Sequence, residues 1–135
     1  MLKIIALDHV VFRTTKLEAM LQFYCDVLGC TVERDKLDDN GLIQLRAGSA
    51  LIDLVQVDSK LGQLGGKAPE QDGRNVDHVC LQVAAISQDN LKQYLAQHQI
   101  KHSEFALRYG AAGLTESIYI ADPEQNVIEL KPLID

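Results

Sequence analysis

The chain repeats itself. Residues 7–10 read LDHV and residues 76–79 read VDHV; further on, ALIDL at 50–54 is echoed by NVIEL at 126–130. Each half opens on an apolar run carrying a histidine and closes on one carrying a carboxylate. Two copies of one pattern must adopt similar local structure, so the repeat constrains the fold more tightly than composition can.

Within each copy a helical pattern follows the first apolar run. In TKLEAMLQFYCDVLG, Leu17, Met20, Leu21, Tyr24, Val27 and Leu28 recur at helical spacing. Thr15 and Glu18 fit a capping box, and Gly29 sits where a helix-ending glycine belongs. In the second copy Ser87 can cap a helix whose stripe is Leu91, Tyr94 and Leu95. The other apolar runs are short and bounded by turn residues, which predicts strands near 3–13, 30–35, 41–47 and 50–58, then 76–84, 102–108, 115–121 and 126–132. Turns are expected at Asp39-Asn40-Gly41, at Ala47-Gly48-Ser49 and after Asp122-Pro123. Each half is therefore β-α-β-β-β, and the class is α+β. The chain reads as a single domain, 1–135, made of module 1–58, a polar, glycine-rich linker 59–75 and module 76–135.

Side chains alternate faces along a strand. His9 shares a face with Leu7, Val11 and Arg13; Asp53 with Leu51, Val55 and Val57; His78 with Val76, Cys80 and Gln82; Glu129 with Val127 and Lys131. An imidazole or carboxylate amid apolar neighbours is costly unless it is paired, solvated or bound to metal. The residues alone leave two readings open: satisfied core histidines with salt-bridged acids, or one shared divalent site made of His9, Asp53, His78 and Glu129. Two imidazoles and two carboxylates suit nickel, cobalt, zinc or iron and leave positions for water or substrate.

The formal charge of −6, from 13 basic and 19 acidic residues, opposes binding to nucleic-acid backbones and anionic membranes. Three cysteines without CxxC spacing read as free thiols, which places the chain in the cytoplasm. No GxGxxG, P-loop or GxSxG is present. His98 and His102 have HxxxH spacing but lack the glutamate of a zinc-protease motif, and they read as surface residues.

LDHVVFRT, LEAMLQFYCDVLGCTV, VDHVCLQV and SIYIADPEQNVIELK together resemble the vicinal-oxygen-chelate superfamily of glyoxalases, bleomycin-resistance proteins, fosfomycin-resistance proteins and extradiol dioxygenases. The resemblance runs over nearly the whole chain and is greatest to small glyoxalase I-like proteins. It implies two βαβββ modules pairing into a cupped, mostly antiparallel eight-stranded sheet with helices outside, commonly in a homodimer. It implies metal ligands at His9, Asp53, His78 and Glu129, with nickel, cobalt or zinc for isomerase chemistry and iron or manganese for a dioxygenase. It implies a small-molecule substrate, an α-hydroxycarbonyl or thiol adduct, converted through a metal-bound enediolate with Glu129 as the catalytic base. Arg13 matches an arginine that binds a glutathione carboxylate in glyoxalase I, and Arg108 lies in a segment, 108–113, that reads as a mobile loop at the cavity mouth. Two departures stand out: Asp53 is one methylene shorter than the family glutamate, and Val57 replaces a family asparagine. A three-ligand set of His9, His78 and Glu129 would match the dioxygenases and fosfomycin-resistance proteins. A metal-free drug-sequestering protein is the third possibility.

Overall fold

A computed structural model describes all residues, Met1–Asp135. The chain divides into two compact units, Met1–Glu70 and Gln71–Asp135, and the division falls inside the polar 59–75 segment.

The first unit contains β1 (His9–Thr14), α1 (Leu17–Leu21), β2 (Thr31–Lys36), a short α2 (Leu37–Asn40), β3 (Leu42–Ala47) and β4 (Ala50–Gln56). Its sheet runs β1-β4-β3-β2, with β1–β4 parallel and the other two pairings antiparallel. One sheet face packs on the helix. Phe12 and Thr14 of β1, Ile43 and Leu45 of β3, and Ile52 and Leu54 of β4 are buried there with Met20, Phe23 and Tyr24. Tyr24 anchors this core, stacked on Phe12 at 6.1 Å and edge-on to Phe23 at 5.0 Å between ring centroids.

The helix differs from the sequence expectation at its start. Lys16, not Thr15, is the N-cap residue, and the Lys16 amide donates to Thr14 Oγ1 at 2.9 Å. The second half, Gln22–Val27, widens into a π-helical stretch. Its end is as expected: Gly29 takes φ +79°, and the Cys30 amide closes back on the Tyr24 carbonyl at 2.8 Å.

The second unit contains β5 (His78–Val83), α3 (Gln88–Gln97), β6 (Ala106–Gly110), β7 (Gly113–Ala121) and β8 (Val127–Pro132). Its sheet order, β5-β8-β7-β6, repeats that of the first unit, again with one parallel pairing. Ser87 caps α3 by accepting the Asn90 amide at 3.1 Å, and Leu91 and Leu95 are buried. The turn before β8 is organised by buried Asp122, whose Oδ1 accepts the amides of Glu124 and Asn126, both at 2.9 Å.

Two expectations are corrected here. The first strand starts at His9 rather than near residue 3, and Leu2, Ile4, Ile5 and Leu7 are exposed. The register explains this: His9 already faces Leu51, the second residue of β4, so no strand residue lies opposite Met1–Leu7. The 108–113 segment is not a long loop. Arg108, Tyr109 and Gly110 belong to β6, and the Gly110–Gly113 pair leaves only Ala111 and Ala112 to turn the hairpin, with Gly113 at φ +98°.

Candidate functional site

The repeat places its polar residues at matching register positions. In the first unit Val11 faces Asp53 across the parallel pair, and His9 is two residues earlier on β1. In the second unit Cys80 faces Glu129, and His78 is two residues earlier on β5. Each histidine is thus a diagonal neighbour of its acid on one sheet face.

In the second unit the two groups meet. His78 Nε2 lies 3.1 Å from Glu129 Oε1, and Ser117 Oγ donates to Glu129 Oε2 at 2.6 Å. Glu129 is buried. His78 Nδ1 bonds Asp77 Oδ2 at 2.7 Å. A carboxylate only accepts, so Nδ1 carries the proton of that bond. In the neutral ring Nε2 is then a lone pair facing a carboxylate oxygen, and that contact needs either a second proton or a cation. Two ligands about 2.1 Å from one ion and at right angles to each other stand about 3 Å apart, so the observed spacing suits adjacent ligands of a divalent metal.

In the first unit the pair is looser. His9 Nδ1 bonds Asp8 Oδ1 at 2.6 Å. That bond raises the His9 pKa above its ordinary value; partial burial works against it, and the charges of Asp53 and Asp8 add to it. Asp53 is 2% exposed and makes no ion pair with His9. Gln44 donates to its Oδ2 at 3.2 Å, while its Oδ1 is buried without a partner. An orphaned carboxylate oxygen in the interior is a costly feature that a bound cation would relieve. No group of three or more His, Cys, Asp or Glu side chains that could hold a metal forms in the structure; of the four candidate ligands only His78 and Glu129 are in contact.

The aspartates before the histidines were missed by sequence reasoning, although both stand in the repeated DHV. They orient the rings, as carboxylates behind metal-ligating histidines do.

The two arginines are held firmly. Arg13 donates from Nε to Gly62 O at 3.1 Å, from Nη1 to Lys67 O at 2.9 Å, and from Nη2 to Gly66 O. Its guanidinium ties the 62–67 segment to β1. Arg108 donates to Ser117 O at 2.6 Å and to Ser117 Oγ at 3.1 Å, with its guanidinium 4.2 Å from the Tyr119 ring centre. Tyr119 in turn stands edge-on to His78, with ring centroids 5.3 Å apart. Arg108, Ser117, Tyr119, His78 and Glu129 form one connected polar group on the second sheet.

Comparison with known proteins gives this duplicated β-α-β-β-β chain a family. The family model described as the Glyoxalase/Bleomycin resistance protein/Dioxygenase superfamily matches residues 6–130, and the chain belongs to that superfamily. Among solved structures it is similar to an integron cassette protein from the mobile metagenome of V. Pseudocholerae, with 25% identity, 100% of this chain and 99% of that one covered, and a TM-score of 0.74. It is also similar to a virulence protein from Salmonella typhimurium, with 24% identity, coverage of 98% and 100%, and a TM-score of 0.73. A third is lactoylglutathione lyase from Agrobacterium tumefaciens, with 20% identity, coverage of 94% and 92%, and a TM-score of 0.63. No curated protein sequence matches the chain.

Proposed function

We propose that the chain is a metal-dependent, glyoxalase-like lyase or isomerase acting on a small α-hydroxycarbonyl or thiol adduct. The observation that carries this reading is the 3.1 Å approach of His78 Nε2 to Glu129 Oε1 with Nδ1 already committed to Asp77. Members of the superfamily typically use divalent metals, and here His9, Asp53, His78 and Glu129 would hold the ion: nickel, cobalt or zinc. The ion would supply Lewis acidity, lowering the cost of negative charge on substrate oxygen.

The chain's own residues do the rest. Glu129 takes a proton from one substrate carbon and returns it to the adjacent one. Ser117 holds Oε2 of that carboxylate and Oε1 faces His78, so the base role would require Oε1 to loosen from the ion. Asp77 and Asp8 keep the imidazoles from turning. Arg108, fixed over Tyr119, and the two N–H donors that Arg13 has not given to backbone carbonyls are the groups proposed to bind a substrate carboxylate.

Supporting properties point the same way. Three free thiols suit the cytoplasm, and no helix is long and apolar enough to cross a membrane. The exposed Leu2, Ile4, Ile5 and Leu7 suit self-association, in keeping with a homodimer.

A second reading is favoured by one observation. Asp53 makes no ion pair with His9, which suits the three-ligand set His9, His78 and Glu129 of an extradiol-type dioxygenase or a fosfomycin-type thiol transferase. Metal analysis of protein purified without chelators, with turnover of the methylglyoxal–glutathione adduct, separates the readings. Nickel, cobalt or zinc near one per subunit with turnover supports the lyase. Iron or manganese with oxygen uptake on catechols supports the dioxygenase. A protein that takes up no metal even after reconstitution supports the sequestering reading and counts against the enzyme readings.

A further inference from the structure

We propose that the second unit carries a binding pocket for a small aliphatic carboxylate, centred on Lys131, two residues beyond Glu129 on the same face of β8. The repeat itself raises the question. Lys131 stands two residues after Glu129; at the matching place in the first unit, two residues after Asp53, is Val55. Both positions are buried. A valine satisfies this place in the fold, so packing does not call for a lysine.

Lys131 is 3% exposed and forms no ion pair. Its Nζ donates to the Arg108 carbonyl, one acceptor for a group with three N–H donors. The acid two residues before it makes no ion pair with it, because the Glu129 oxygens face His78 and Ser117. A buried cation without a counter-charge is expensive, and an anion beside it removes much of that cost.

The space for that anion adjoins it. A cavity of about 220 Å³ is lined by Lys131 together with Gln82, its register partner on β5, Thr115 on β7, and Ala112, Pro132, Leu133 and Ile134. The volume equals about seven waters at roughly 30 Å³ each, which suits a molecule of only a few carbons. The lining combines an ammonium, an amide and a hydroxyl with the apolar groups of Pro132, Leu133 and Ile134, and a carboxylate on a short hydrocarbon satisfies both kinds of group. Phosphate fits worse, because its higher charge calls for more cations or clustered amides, and the hydrocarbon wall would give it nothing.

Titration calorimetry of the full chain in the presence of EDTA, with sodium butyrate, butyramide and inorganic phosphate as probes, tests the pocket apart from any metal at His78. Butyrate is expected to bind one per chain, with butyramide and phosphate at least tenfold weaker. Lys131→Met is expected to weaken butyrate at least tenfold while circular dichroism stays unchanged. Should Lys131→Met fail to fold, Thr115→Val is the second variant, with an expected loss of at least threefold. The proposal is overturned by the absence of saturable butyrate binding, by equal binding of butyramide or phosphate, or by wild-type affinity in a folded variant.

Discussion

His78 and Glu129 meet across the parallel pair β5–β8, imidazole nitrogen to carboxylate oxygen at 3.1 Å, each with its remaining hydrogen-bonding atom already engaged: Nδ1 by Asp77 and Oε2 by Ser117. A cation held between them would depend on both. His78→Ala is expected to remove at least tenfold of the divalent-metal affinity while the fold, read by circular dichroism, stays intact. Asp77→Asn is expected to cost roughly tenfold, the range seen for partners that orient a ligand. Full metal content in purified His78→Ala protein, measured by elemental analysis, would rule out the ligand role.

Asp53 makes the opposite test possible. Its Oδ1 is buried without a partner, so the metal-free protein carries an unfavourable carboxylate. Asp53→Asn is expected to stabilise the metal-free chain by about 1–3 kcal/mol, since a neutral amide is less costly to bury. Thermal unfolding in EDTA should show a midpoint several degrees higher, and added metal should raise that midpoint less than it does in wild type. A lower midpoint in EDTA would mean that Asp53 is already satisfied.

Arg13 acts as a clasp on the 62–67 segment through the carbonyls of Gly62, Gly66 and Lys67. Arg13→Ala is expected to lower stability by about 1–2 kcal/mol, given three bonds of modest net worth from a partly exposed side chain. It should also speed trypsin cleavage after Lys67, and a digestion time course read by mass spectrometry checks this. An unchanged cleavage rate would show that the segment is held by other contacts.

Cys30 gives a pH signature away from the site. Burial, with a smaller contribution from Cys25, pushes its thiol up from 9.0 to about 11. Between those values the unfolded chain loses this proton while the folded one keeps it, so stability falls as pH rises from about 9 to about 11. Below pH 9 the thiol is neutral in both states and contributes no slope. Denaturant titrations across that window should show the decline, and Cys30→Ala should flatten part of it. An equal decline in the variant would assign the effect to other groups.

The features most legible from sequence were those written twice. His78 and Glu129 could be paired because His9 and Asp53 repeat the pattern, and the β-α-β-β-β order followed from turn residues such as Gly41 and Gly48, both at positive φ. What failed had physical reasons. Leu2, Ile4, Ile5 and Leu7 look like strand residues, but a strand also needs a neighbour, and β4 offers none before Asp8. Arg108-Tyr109-Gly110 looked like a loop because of its glycines; those glycines close a two-residue hairpin instead. Asp8 and Asp77 were passed over because an exposed acid at a strand entrance is ordinary until its contact with the next side chain is known. Strand alternation puts Lys131 on the Glu129 face, but only the structure shows it to be buried.

The aspartate behind each histidine has a kinetic consequence. A free imidazole samples several orientations and must be caught in the right one; a ring already pinned through Nδ1 has lost that freedom during folding. Were an ion to bind there as proposed, its capture would forfeit little rotational entropy, and the same tether would slow the ring's swing outward, so exchange with bulk solution would be governed by departure rather than by arrival.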